Sequence, residues 1–281
     1  RFARIEERLT RETADLAALS TGAIRALSTS AIAALNTDEV VALSAAQAGA
    51  LTTAQIGALS AAAVAALETT DVVALGTTGI RAFSTAQIVA LTTDQAAALS
   101  TAQVAALTTA QVVALQTEDL NAFSTAQFAA LTTAQVGALS ALQMANLETA
   151  DLAALGTASI RALSTDAIVA FTTDHIVALS TTQAAALTTT QVAKLELADV
   201  AALETADLAA FGTAAIRAFS TAQLDALTTE QFSSLTTTQI TALSTSQVAA
   251  ISTDDLQAMT TAHIAALTTA QLRGLDTADL N

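Results

Sequence analysis

Four acid–base couples recur at one spacing: Asp15 and Arg25, Asp71 and Arg81, Asp151 and Arg161, and Asp207 and Arg217, each ten residues apart. A carboxylate and a guanidinium so placed on consecutive repeats can form inter-repeat ion pairs, worth at most about 1 kcal/mol if exposed, or serve as recurring docking points. His175 and His263 are the two imidazoles. Each could act as a base or a metal ligand, but neither has a second His nearby, and both occupy a slot where Gln is the commonest residue, so capping or surface roles are expected. The carboxylates show neither calcium-loop spacing nor a Gly-Asp repeat, and the chain contains neither a Gly-rich phosphate loop nor a nucleophile elbow. No enzymatic activity, cofactor or dedicated metal site is expected.

The elements that position these residues are set by a repeat of eight. From Leu19 to Leu275 every eighth residue is large and apolar, 33 times in succession, with Phe83, Phe123, Phe171, Phe211, Phe219, Ile251 and Met259 replacing Leu. Three residues earlier runs a second apolar column, from Leu16 to Leu272, reduced to Ala only at Ala48, Ala96 and Ala184. The residue after each Leu is mostly Ser or Thr, with Gln or an acid three positions later, as in Ser100 and Gln103 or Thr108 and Gln111. That is a capping box, and it starts a new helix in every octad.

A continuous helix would rotate the anchors by about 80° per octad and give no single stripe. A β-solenoid would send anchors three and five residues apart to opposite faces. The sequence therefore predicts an all-α solenoid of short capped helices, one per octad, wound into a superhelix over residues 11–281 after a lead-in or cap at 1–10. Helices of five or six residues fall below the roughly 12–15 needed for independent stability, so stacking must hold them, and stability should fall gradually as octads are removed.

The double octad beginning at Glu12 returns at Glu68, Glu148 and Glu204, in steps of 56, 80 and 56 residues. A block of 136 residues, or 17 octads, is thus repeated about twice, and these units share one side if a superhelical turn holds about 3.4 octads.

Composition excludes several functions. The net charge of −15, with nine Arg and the single Lys194, opposes nucleic-acid binding. A polar group interrupts the apolar residues in each octad, so no membrane span of about 20 residues is present. The chain holds no Cys, so disulfides and thiolate sites are excluded. It starts at Arg1 and stops inside a repeat at Asn281, as a processed product or a piece of a longer protein would.

The second Thr of each octad recurs in 29 of 33 units between Thr21 and Thr277. It either helps define each helix start or forms a hydroxyl lattice able to order water, as ice binding requires.

The wording L-T-T-A-Q-V-A-A-L resembles low-complexity octapeptide repeats of very large bacterial exoproteins described as adhesin-like or haem-utilisation proteins. The resemblance covers the chain from Leu16 onward and implies a secreted or cell-surface location with a structural or adhesive role. It identifies no functional residue, and no axial haem ligands are arranged here. The stretch LTTAQVVAL at 107–115 is similar to the opening of repeats in transcription-activator-like effectors, but those carry a Pro and a longer unit, and this chain has no Pro. The expected function is a building block of an extracellular filament or surface layer, self-associating end to end, with divalent cations screening its acidic surface. The alternatives are an adhesin stalk, an ice-binding protein, or a monomeric scaffold whose groove takes a peptide.

Overall fold

Octads become helices here because each one carries its own start and stop. In the octad from Leu99, Ser100 takes an extended conformation and its hydroxyl accepts from the Gln103 N–H at 3.2 Å, while Gln103 Oε1 accepts from the Ser100 N–H at 3.0 Å. The helix Thr101–Ala106 follows, and Leu107 ends it by turning to ψ 143°. That turn delivers the chain to Thr108, the next cap. A computed structural model describes residues 13–275 and, among them, shows 33 helices of four to seven residues and no strand. The protein is the expected all-α solenoid of short capped helices. The lead-in expected at 1–10 lies outside the described residues.

Both anchor columns point inward. Ile24, Val40, Val104 and Ile240 of the second column are fully buried, and Leu59, Leu107 and Leu203 of the first are nearly so. Each such side chain contributes about 1.5–3 kcal/mol by leaving water, which is how helices too short to stand alone are held. The core is aliphatic with aromatic inserts, such as Phe123 edge-on to Phe128 at 6.0 Å and Phe211 beside Phe219 at 6.0 Å.

The chain forms two compact units, residues 1–138 and 139–281. In the first, Thr29–Ala33 packs on Thr53–Ala58, which packs on Gly76–Ala82, followed by Thr101–Ala106 and Thr125–Ala130. In the second, Thr149–Ala154 packs on Thr173–Ala178, then Leu197–Ala202, Thr221–Asp225, Thr245–Val248 and Thr269–Leu272. Within each unit, then, a helix rests on the one three octads away. No described helix is long and apolar enough to cross a membrane.

Candidate functional site

The most constrained polar group in the molecule is the buried Gln of the octad. Gln55 is 2 % exposed, and its amide is used at both ends. Oε1 accepts from the Thr52 N–H at 2.8 Å and from the Thr52 hydroxyl at 3.0 Å, closing the capping box. Nε2 donates to the Ile24 carbonyl at 2.8 Å and the Leu27 carbonyl at 2.9 Å, four octads back along the chain. Helix starts leave N–H groups without partners and helix ends leave carbonyls without partners. One side chain satisfies both kinds at once, and it ties successive coils together.

The same bridge recurs in each unit. In the first, Gln87 donates to Ile56 and Leu59, and Gln111 to Ile80 and Phe83. In the second, Gln191 donates to Ile160 and Leu163, and Gln247 to Ile216 and Phe219. The bridges span 28 and 31 residues, whereas the helices pack three octads apart, so a coil holds between three and four octads. That interval brackets the 3.4 expected from the spacing of the double octads.

The capping half of this site is visible in sequence and the bridging half is not, because a capping box accounts fully for Gln. The available signal is the choice of amide over acid: Glu closes a capping box equally well, but only Gln carries donors for the coil before it.

His175 fills the role with different atoms. Its Nδ1 accepts from the Thr172 N–H at 3.1 Å, and Nε2 lies 2.7 Å from the Leu147 carbonyl, which assigns the proton to Nε2. Both ring nitrogens are engaged, and neither is left to ligate a metal. His263 caps in the same way, its Nδ1 accepting from Thr260 at 3.4 Å. No group of three or more His, Cys, Asp or Glu able to hold a metal occurs among the described residues.

Acids replace Gln at several octads. Glu39 keeps the cap, its Oε2 accepting from the Asn36 N–H at 2.8 Å, and leaves Oε1 buried without a partner. Asp71, Asp119, Asp151, Asp199, Asp207 and Asp255 are all buried. Burial pushes their carboxyls above the usual carboxylate range, and Asp151, with the adjacent Glu148 charge adding to its burial, is pushed up to about 6.

The repeated acid–base couples separate across this frame. Asp71, Asp151 and Asp207 belong to the buried column and Asp15 is half-buried, whereas Arg25, Arg81, Arg161 and Arg217 stand exposed. No ion pair joins them among the described residues. The arginines stand at the surface. The second Thr of the octad, as at Thr53, Thr85, Thr101 and Thr109, begins its helix and faces solvent. The concavities are shallow; one of about 490 Å³ in the second unit is lined by Asn146, Glu148, Asp174 and His175, with His175 already committed to its two backbone partners.

Comparison with known families gives one match, repeated along the chain: the ALTTAQ repeat, at residues 12–45, 64–101, 112–148, 144–181, 169–197, 200–237 and 248–281. No curated protein and no solved structure matches.

Proposed function

Because the chain belongs to the ALTTAQ repeat family, we propose that its work is structural, as a building block of an extracellular filament or surface layer that lengthens by end-to-end self-association. The observation that carries this reading is the two-faced coil. Each coil presents carbonyls on one face, as Ile216 and Phe219 do, and apolar anchors with buried amides on the other, as Gln247 does. A stack of such coils ends in surfaces that fit one another, the condition for open head-to-tail growth.

A net charge of −15 keeps such assemblies from clumping laterally, and divalent cations screen it. The proposal includes no catalysis. Electron microscopy of the purified chain across a concentration and calcium series tests it: fibres of uniform width are expected. Particles that stay monomeric throughout would overturn self-assembly and favour an adhesin stalk. The exposed Thr rows keep ice binding as a second reading, which thermal hysteresis in dilute solution would reveal.

A further inference from the structure

The bridging column is interrupted at matching places in the two units. Asp71 and Asp207 stand 136 residues apart in equivalent double octads. Each is 1 % exposed, and in each both carboxyl oxygens are buried without a well-formed hydrogen bond, the donors beside them being the Glu68 N–H at Asp71 and the Thr181 hydroxyl at Asp207. Neighbouring bridges fix the register, since Gln55 reaches residues 24 and 27 and Gln87 reaches 56 and 59. By that register Asp71 answers to the carbonyls of Val40 and Leu43, and Asp207 to those of Ile176 and Leu179. An ionised carboxylate only accepts hydrogen bonds. At a position where Gln would donate to two carbonyls it offers no hydrogen to either, and a buried joint left unbridged costs free energy. A single proton reverses this, because a neutral carboxyl has one O–H to donate.

We propose that Asp71 and Asp207 are proton-binding joints: each takes up a proton from solution and donates it to a carbonyl of the preceding coil, restoring the bridge that Gln makes elsewhere and tightening the stack. No covalent step is involved, and the proton returns to solvent when the pH rises.

The surrounding charges favour the neutral form. On the helices packed around Asp71 the charges are Glu68 at the start of its own helix, Asp94 on Thr93–Ala98 and the exposed Arg81 on Gly76–Ala82; the packed helix Ala45–Ala48 carries no charge. On the helices packed around Asp207 the charges are Glu204 at the start of its own helix and Glu230 on Thr229–Ser233, while Thr181–Ala184 is uncharged. Burial pushes both carboxyls up; the Glu68 N–H dipole opposes this at Asp71 and the Thr181 hydroxyl at Asp207, while the Glu68 and Glu204 charges reinforce it. The sign follows from linkage. An acid raised in the folded state binds more protons folded than unfolded, so the stability it confers is complete below the ordinary Asp value and is lost as pH rises through the raised one.

The test is thermal unfolding of the full chain at pH 5 and pH 8, alongside Asp71→Asn with Asp207→Asn, and a control carrying Asp38→Asn with Asp166→Asn at exposed positions. The natural chain should melt higher at pH 5 than at pH 8. The buried Asn pair, which carries donors at every pH, should melt higher than the natural chain at pH 8 and lose part of the pH dependence, the remainder belonging to Asp119, Asp151, Asp199 and Asp255. The exposed pair, with the same charge removed, should keep it. A buried Asn pair with the pH dependence intact, or a natural chain that melts lower at pH 5, would overturn the proposal. Side-chain carbon-13 titration of the natural chain provides the same decision without any variant: Asp71 and Asp207 are expected to titrate above the exposed aspartates, and titration together with them would overturn the joints.

Discussion

Leu67–Phe83 in the first unit and Leu203–Phe219 in the second are copies of one double octad, yet their backbones differ. In the second copy the helix Thr205–Ala210 ends at Phe211, which turns extended at ψ 134°, and Gly212 starts the next helix at φ −66°. In the first copy Leu75 stays helical at ψ −23°, and the chain runs from Thr69–Ala74 into Gly76–Ala82 through Gly76 at φ +64°. Anchors and caps do not account for this, since both copies carry Gly at the cap and apolar residues at both anchors. The difference lies in two missing methyl groups. Gly49 stands where the second unit has Ala185, and a Cβ on Gly49 would lie 2.8 Å from the Ala74 carbonyl of the next coil. Gly79 stands where the second unit has Ala215, and a Cβ there would lie 2.7 Å from Leu75 Cβ. The octad pattern thus permits two backbones, and the space left by glycine selects between them.

The largest effect is expected where that space is removed. Gly49→Ala drives a methyl against a backbone oxygen that cannot rotate away, and should destabilise the first unit by about 1–3 kcal/mol. At the matching position of the second unit, Ala185→Gly creates no clash and should cost about 1 kcal/mol or less, through backbone entropy. Denaturant midpoints for both variants decide the matter: equal costs would mean that the close approach does not hold the tighter turn.

Much of this architecture can be read from the residues because each octad states its own structure. The Leu column, the second anchor and the Ser or Thr cap specify burial and helix start locally, and the returns of the double octad carry the winding. Two things are not written locally. The Nε2 reach of Gln55 ends on Ile24 and Leu27, one coil away, and nothing within the octad betrays it except the preference for amide over acid. Gly76 cannot be told by type from Gly156 and Gly212, which sit at φ −70° and −66°; its conformation depends on Gly49 and Gly79. The couple Asp71 and Arg81 invites an ion pair only while the octad frame is ignored, for the acid lies in the buried column and the base in an exposed one.

Gly76 and Gly212 sharpen the comparison at the next scale. Gly76→Ser forces a side chain to positive φ and should cost about 1–2 kcal/mol. Gly212→Ser enters a backbone already shaped like that of the Ser caps and should gain a few tenths of a kcal/mol by supplying the missing hydroxyl. Opposite signs in paired melting experiments are expected. A stabilising Gly76→Ser would show that the first copy readily adopts the backbone of the second.

The smallest difference is the most specific, because it follows a single carbonyl. Gln239 donates to Leu208 at 2.8 Å, Ala209 at 3.3 Å and Phe211 at 2.8 Å. Its counterpart Gln103 reaches only Val72 at 2.9 Å and Val73 at 3.3 Å. The third acceptor is lost because Leu75 remains helical and its carbonyl accepts from the Gly79 N–H at 3.2 Å. The tighter turn therefore exchanges a bridge between coils for a bond along the chain. Replacement of each Gln by Met, similar in length but without the amide, removes the cap acceptor in both units and one more good bridge in the second. Gln239→Met should then cost about 1 kcal/mol more than Gln103→Met, the net worth of one neutral hydrogen bond. Hydrogen exchange at the helices that follow Leu75 and Phe211 reads each loss where it occurs. Equal losses would mean that the carbonyl of Phe211 is served as well by water as by Gln239, and that the bridges fix register without adding stability.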